Sequence, residues 1–175
     1  MTRSDRRSEL TWQIWPVDLG QALVAWSPRG LCAVFIGDDD AALQAELARN
    51  FPGHALRHDD AAQPWGHAVR AVLNGQVGDP AQVRDLPLDV SGTAFQQSVW
   101  AALRDIPPGQ TVSYSELAHR VGRPQAVRAV ASACAANVLA VLIPCHRVVR
   151  RDGSPSGYRW GLAHKQALLA REASR

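Results

Sequence analysis

Residues 22–37 constrain the fold of this chain more than any other stretch. ALVAWS (22–27) and LCAVFIG (31–37) are short apolar runs on either side of Pro28-Arg29-Gly30, the pattern of two strands joined at a hairpin turn. Helical patterns follow. DDDAALQAELARNF (38–51) opens with acids that suit the positive end of a helix dipole, and PWGHAVRAVLNG (64–75) is closed by Asn74-Gly75. The first half therefore reads as α/β, a small sheet with helices. The charged MTRSDRRSEL (1–10) is expected to be a frayed tail, since no apolar core follows it to make a secretory signal.

Residues 76–92, QVGDPAQVRDLPLDVSG, carry Pro, Gly and Asp without clear periodicity and mark a boundary between subdomains 1–91 and 92–175. The second half reads as mostly α. TAFQQSVWAALRDI (93–106) sets Phe95, Val99, Leu103 and Ile106 at helical spacing, with Thr93 as cap and Pro107-Pro108-Gly109 as stop. Ser113 and Glu116 give the S-x-x-E capping pattern, so a short helix starts at Tyr114 and ends at Gly122. Pro124 suits the first turn of the next helix, 124–137. Two short helices about a glycine turn make a helix-turn-helix candidate. On the second, Val127, Val130 and Cys134 share an apolar face. Arg128, Ala131, Ser132 and Ala135 share another, one long cation among very small side chains. That face suits close packing on a neighbouring helix. It also suits DNA, where a helix ~10–12 Å across must enter a minor groove only ~6 Å wide.

At 175 residues and 46% apolar, with no run near the ~20 residues of a membrane span, this is a globular chain of one domain or two small ones. Its net charge of +3 permits a nucleic-acid partner without demanding one. Three widely spaced cysteines, Cys32, Cys134 and Cys145, argue against a disulfide framework and for a reducing compartment.

Cys145 stands in the segment IPCHRVVR (143–150), after the short apolar run VLAVLIP (138–144) that reads as a buried strand or extended segment. In an extended segment Cys145 and His146 point to opposite sides, so their cooperation needs a bridging water or a bent backbone. Glu172, on the helix read over 161–173, is the candidate carboxylate to set the tautomer of His146. Taken alone, a buried cysteine is more often inert than catalytic; Cys32 and Cys134 are read as core thiols.

PCHRVV (144–149) resembles the active-site motif of the O6-alkylguanine-DNA alkyltransferases, the methylated-DNA–protein-cysteine methyltransferases. Residues 95–137, from FQQSVW to CAAN, are similar to that family's helix-turn-helix region, and GYRWG (157–161) with the following helix to its C-terminal part. The SGYRWG form looks most like the repair domain at the C-terminus of the bacterial adaptive-response protein. The resemblance is strong over roughly 92–173.

The resemblance implies a bacterial, cytoplasmic repair protein that acts as a monomer on double-stranded DNA. It would bind the minor groove, flip O6-alkylguanine or O4-methylthymine out of the stack, and take the alkyl group irreversibly, once per molecule, with no cofactor. Cys145 matches the acceptor, deprotonated through a water held by His146, which Glu172 holds in turn. Asn137 matches the residue tying the helix-turn-helix to the active-site segment. Tyr114 matches the residue near the target's 3′ phosphate that helps rotate the nucleotide and donates to the guanine ring. Arg128 matches the finger that fills the vacated stack, and Ala131, Ser132 and Ala135 the minor-groove face. The carbonyls of Cys145 and Val148 and the N–H of Arg159 match groups that hold the base, with Tyr158 and the loop 153–161 as pocket wall.

Arg159-Trp160 stands where many members carry small residues, so methyl is expected to be transferred faster than benzyl. The first half lacks the Cys/His set with which some relatives bind zinc, so no metal is expected. It also lacks a methyl-phosphotriester-sensing domain, so no transcriptional role is expected. The alternative reading is a non-catalytic sensor of alkylated guanine. Relatives of that kind carry another residue at the acceptor position, and Cys145 weighs against it.

Overall fold

The computed structural model describes residues 9–76, 80–154 and 156–174. The hairpin forms as its sequence requires: β2 (Gly20–Ser27) and β3 (Gly30–Gly37) pair antiparallel. The sequence reading missed a third strand, β1 (Leu10–Val17), antiparallel to β2, and a short β4 (Leu56–His58) that joins β1 in parallel, giving the order β3-β2-β1-β4. β1 begins inside the stretch read as a tail, with Leu10 buried; most of that stretch, residues 1–8, lies outside the described residues. Buried polar side chains disguise the strand. Gln13 accepts from Trp15 Nε1 at 2.7 Å and donates to Ala61 O at 2.6 Å, so its burial leaves no unpaired group.

α1 (Asp40–Asn50) is capped by Asp39, whose carboxylate accepts from the N–H groups of Ala41 and Ala42, and packs Leu43 and Leu47 toward β2 and β3. α2 (Gly66–Leu73) and the short α3 (Pro80–Arg84) follow. The aperiodic stretch beyond them is not free. Leu31 N–H donates to Pro87 O and Asp89 N–H to Leu31 O, both at 2.8 Å, along the outer edge of β3. Gly30, at φ +151, passes so close that a Cβ there would lie 2.5 Å from Pro87 O. The same edge takes a second segment: Val34 N–H donates to Val138 O at 2.8 Å and Ala140 N–H to Val34 O at 3.0 Å. An edge that would otherwise offer unpaired backbone groups is thereby covered by two later segments of the chain, one before and one within its second half.

α4 (Ala94–Arg104) carries the reciprocal cap between Thr93 and Gln96. β5 (Val112–Ser113) leads into α5 (Tyr114–Arg120), where Ser113 Oγ accepts from Glu116 N–H. Gly122, at φ +74, makes the turn. α6 (Val127–Ala135) begins later than its sequence suggests, because Ala126 N–H first closes a turn on Arg123 O. β6 (Val148–Val149) pairs in parallel with β5, and α7 (Leu162–Ala173) closes the fold. The architecture is thus a small mixed sheet with helices followed by a mostly helical half. One buried cluster runs through both, from Leu23 and Phe35 to Leu103, Val130 and Leu168. None of the described helices is long and apolar enough to cross a membrane.

Candidate active site

The site is built on the segment that follows α6. This segment is not a strand, as the sequence suggested. Leu139 alone bridges to β3. The chain then coils through Val141, a β-branched residue held at φ 68, so that Ile143 N–H returns to Leu139 O at 3.0 Å. Asn137, 1% exposed, organises the coil. Its Oδ1 accepts from Leu139 N–H at 2.9 Å, and its Nδ2 donates to Ile143 O at 2.9 Å and approaches Cys145 Sγ at 3.4 Å. Cys145–Arg147 then forms one 3₁₀ turn. The backbone at the cysteine is bent, not extended.

His146 is fully buried, and its Nε2 lies 2.8 Å from Glu172 Oε1 on α7. The carboxylate accepts, so Nε2 carries the proton and Nδ1 keeps its lone pair. Nδ1 is buried without a hydrogen-bonding partner among the described residues. Arg147 completes the clamp, donating from Nε and Nη2 to Glu172 at 3.1 and 2.8 Å and from Nη1 to Ile106 O at 2.6 Å. Burial pushes the Glu172 carboxyl up, but the hydrogen bonds and charges of His146 and Arg147 outweigh it and hold the group at about 2. Burial lowers His146 below its ordinary value against the pull of Glu172, so the ring is neutral. Burial likewise raises the Cys145 thiol, opposed by Asn137, Lys165 and Arg159. The resting sulfur is a thiol, and the next residue is a neutral imidazole whose Nδ1 has no partner among the described residues.

Lys165 lies on the other flank of Cys145, and the sequence reading passed over it. It is 0% exposed, donates to Val148 O at 2.7 Å and to Ser156 Oγ at 3.1 Å, and has no carboxylate partner among the described residues. Ser156 Oγ in turn lies 2.5 Å from Tyr114 Oη, at the N-terminus of α5. A signal was available. Lys165 is the only lysine among 19 basic residues, and it shares one helical face with buried Leu168 and Glu172.

The remaining expected residues divide into two groups. Tyr158 and Trp160 form an edge-to-face pair at 5.3 Å, with Trp160 also against Phe35 at 6.5 Å. The Tyr158 hydroxyl and Trp160 Nε1 are buried without partners among the described residues. Val148 is buried, and its carbonyl already accepts from Lys165. Arg159 turns its side chain toward α1. On the outer face of α6, Arg128, Ser132 and Ala135 are exposed and Ala131 partly so, while Val130 and Cys134 are buried beneath.

A family model described as "6-O-methylguanine DNA methyltransferase, DNA binding domain" matches residues 94–174. The inducible methylated-DNA–protein-cysteine methyltransferase of Bacillus subtilis is 39% identical over 150 residues, 83% of this chain and 80% of that protein. The chain belongs to the methylated-DNA–protein-cysteine methyltransferase family. Within the family it is 56% identical over 156 residues to the bifunctional transcriptional activator/DNA repair enzyme Ada of Escherichia coli. That match covers 89% of this chain but 43% of Ada, so the chain spans less than half of that relative's length. A Mycobacterium tuberculosis member, OGT, solved in complex with DNA, superposes with a TM-score of 0.74 at 32% identity, covering 95% of this chain and 93% of that one.

Proposed function

We propose that this protein repairs alkylated DNA by moving the alkyl group from O6 of guanine, or O4 of thymine, to Cys145 in one irreversible step. The observation that carries this reading is the buried pair Glu172–His146, in which a neutral imidazole, the residue next in the chain to the Cys145 thiol, keeps an Nδ1 without a partner among the described residues. A water between Nδ1 and Sγ completes the relay. The thiol proton passes through it to His146, since only the thiolate attacks well. The S–C bond forms as the C–O6 bond breaks. The departing guanine takes a proton from Tyr114, which is hydrogen-bonded to Ser156 and through it to Lys165. The product is a thioether, which water does not hydrolyse, so each molecule acts once and needs no cofactor.

Reaching a base inside a duplex requires flipping it out. The exposed face of Ala131, Ser132 and Ala135 enters the minor groove, Arg128 fills the vacated stack, and Tyr114 turns the nucleotide at its phosphate. Tyr158, Arg159, Trp160 and Val148 form the pocket, with Asn137 holding the cysteine segment in register. The partner is double-stranded DNA in the bacterial cytoplasm, met as a monomer.

The test is a duplex with one radiolabelled O6-methylguanine, mixed with known amounts of protein. Label on protein is expected to saturate near one methyl per molecule, on Cys145, and to vanish in Cys145→Ala. Tight binding without transfer would make the protein a lesion sensor instead.

A further inference from the structure

The family resemblance assigns Arg159 a role through its backbone N–H. Its side chain has a separate task. Nη2 donates to Asn50 Oδ1 at 2.7 Å, Nε reaches Glu46 Oε1 at 3.4 Å, and Nη1 donates to Asn137 O at 3.4 Å. Glu46 and Asn50 lie one turn apart at the end of α1, and Asn50 Nδ2 is itself anchored on Glu46 O at 2.8 Å. The guanidinium also lies over the rings of Phe35 and Trp160, at 5.8 and 5.7 Å. One side chain, 22% exposed, thus joins α1 of the sheet half, the turn that aims Cys145, and the loop that walls the pocket.

That loop needs holding. Its two aromatic side chains have no hydrogen bonds of their own among the described residues, and glycines flank it at 157 and 161, the latter at φ +101. His164 Nδ1 meets Trp160 O at 2.6 Å and secures the end next to α7. Arg159 secures the end at Tyr158, with charge-assisted bonds that are stronger and more directional than packing. We infer that the Arg159 side chain is a tether that sets the width of the alkyl pocket from α1, so that Glu46 and Asn50, far along the chain from the chemistry, determine which adducts are accepted. Released, Tyr158 and Trp160 swing outward. Room for a bulky alkyl group is gained, and the fixed geometry that favours a methyl group is lost.

This inference rests on the alkyl-transfer reading above, and its test separates the two. Transfer rates from O6-methylguanine and O6-benzylguanine duplexes would be measured for the intact chain and for Asn50→Ala, Glu46→Ala, Arg159→Ala and Arg159→Lys. Amide hydrogen exchange across Tyr158–Gly161 and melting temperatures would be recorded on the same samples. In Asn50→Ala and Arg159→Ala the benzyl-to-methyl rate ratio is expected to rise roughly tenfold, as befits one lost bond to a charged group. Loop amides should exchange faster with the global melt little changed, and Arg159→Lys should fall between. A ratio that rises in Arg159→Ala while both α1 variants match the intact chain would mean that Arg159 acts on the substrate directly, overturning the tether. Unchanged ratios and unchanged exchange in every variant would overturn it as well. If the intact chain transferred neither group, the function proposed above would fall, and loop exchange in Asn50→Ala would still decide the tether.

Discussion

The two flanks of Cys145 bury opposite charges on one face of α7 and treat them differently. On one flank Glu172 meets three donor atoms of Arg147 and His146, and its charge is fully answered. On the other, Lys165 meets a carbonyl and a hydroxyl, with no counter-charge among the described residues. A paired buried charge holds the structure together while both partners remain. A lone buried cation works against stability and persists where its proton or its field is needed. The same helix therefore supplies a structural pin and, two turns earlier, a functional liability.

The largest expected effect breaks the pinned flank. Glu172→Ala leaves the largely buried Arg147 charge without its carboxylate and removes the group that orients His146. Denaturant melts should show a loss of about 3–5 kcal/mol, with methyl transfer nearly abolished. If stability holds, the pin is not where the geometry puts it.

Lys165→Met sharpens the contrast on the other flank. Two terms oppose each other: losing the bond to Val148 O costs about 1–3 kcal/mol, while removing an unpaired buried cation relieves several. The variant should melt at or above the temperature of the parent, yet transfer methyl roughly 100-fold more slowly. Tyr114→Phe should slow transfer similarly, and the double variant should add little, since the two act in series through Ser156. A double variant with multiplied losses would show that Lys165 does not work through Tyr114.

The smallest effects lie in pH. Glu172 is held at about 2 in the fold against about 4.3 unfolded. Its contribution is present above the unfolded value and disappears as pH falls toward the folded one, so the gap between the parent and Glu172→Ala should close over that acid window. Burial holds Lys165 below its ordinary 10.5. The unfolded chain therefore binds that proton more tightly, and the parent should gain stability relative to Lys165→Met as pH rises toward 10.5. A constant gap at either end would contradict the assignment there.

Much of this was legible in the residues. The hairpin, the capped helices and the small-residue face of α6 follow from local pattern, and the sequence offers Glu172 as the candidate carboxylate for His146. What escaped is non-local. β1 hid because Gln13 is buried in a strand only by virtue of a distant partner, the carbonyl of Ala61. The segment 138–144 looked like a strand because apolarity alone does not distinguish a buried coil held by one asparagine. Lys165 went unread because its meaning lies in the groups around it.

The covered edge of β3 bears on modularity. The family model begins at residue 94, which invites treating the second half as a portable cassette. Yet Val34 holds Val138 and Ala140, the residues that lead into the reactive segment, and so acts as a splint set from the far half of the chain. A graft of residues 94–174 onto another carrier would bring the chemical groups without the frame that aims them. It would also bare the donor sheet's edge at Val34, leaving only the Leu31 end covered by Pro87 and Asp89, and so open part of a strand to self-association.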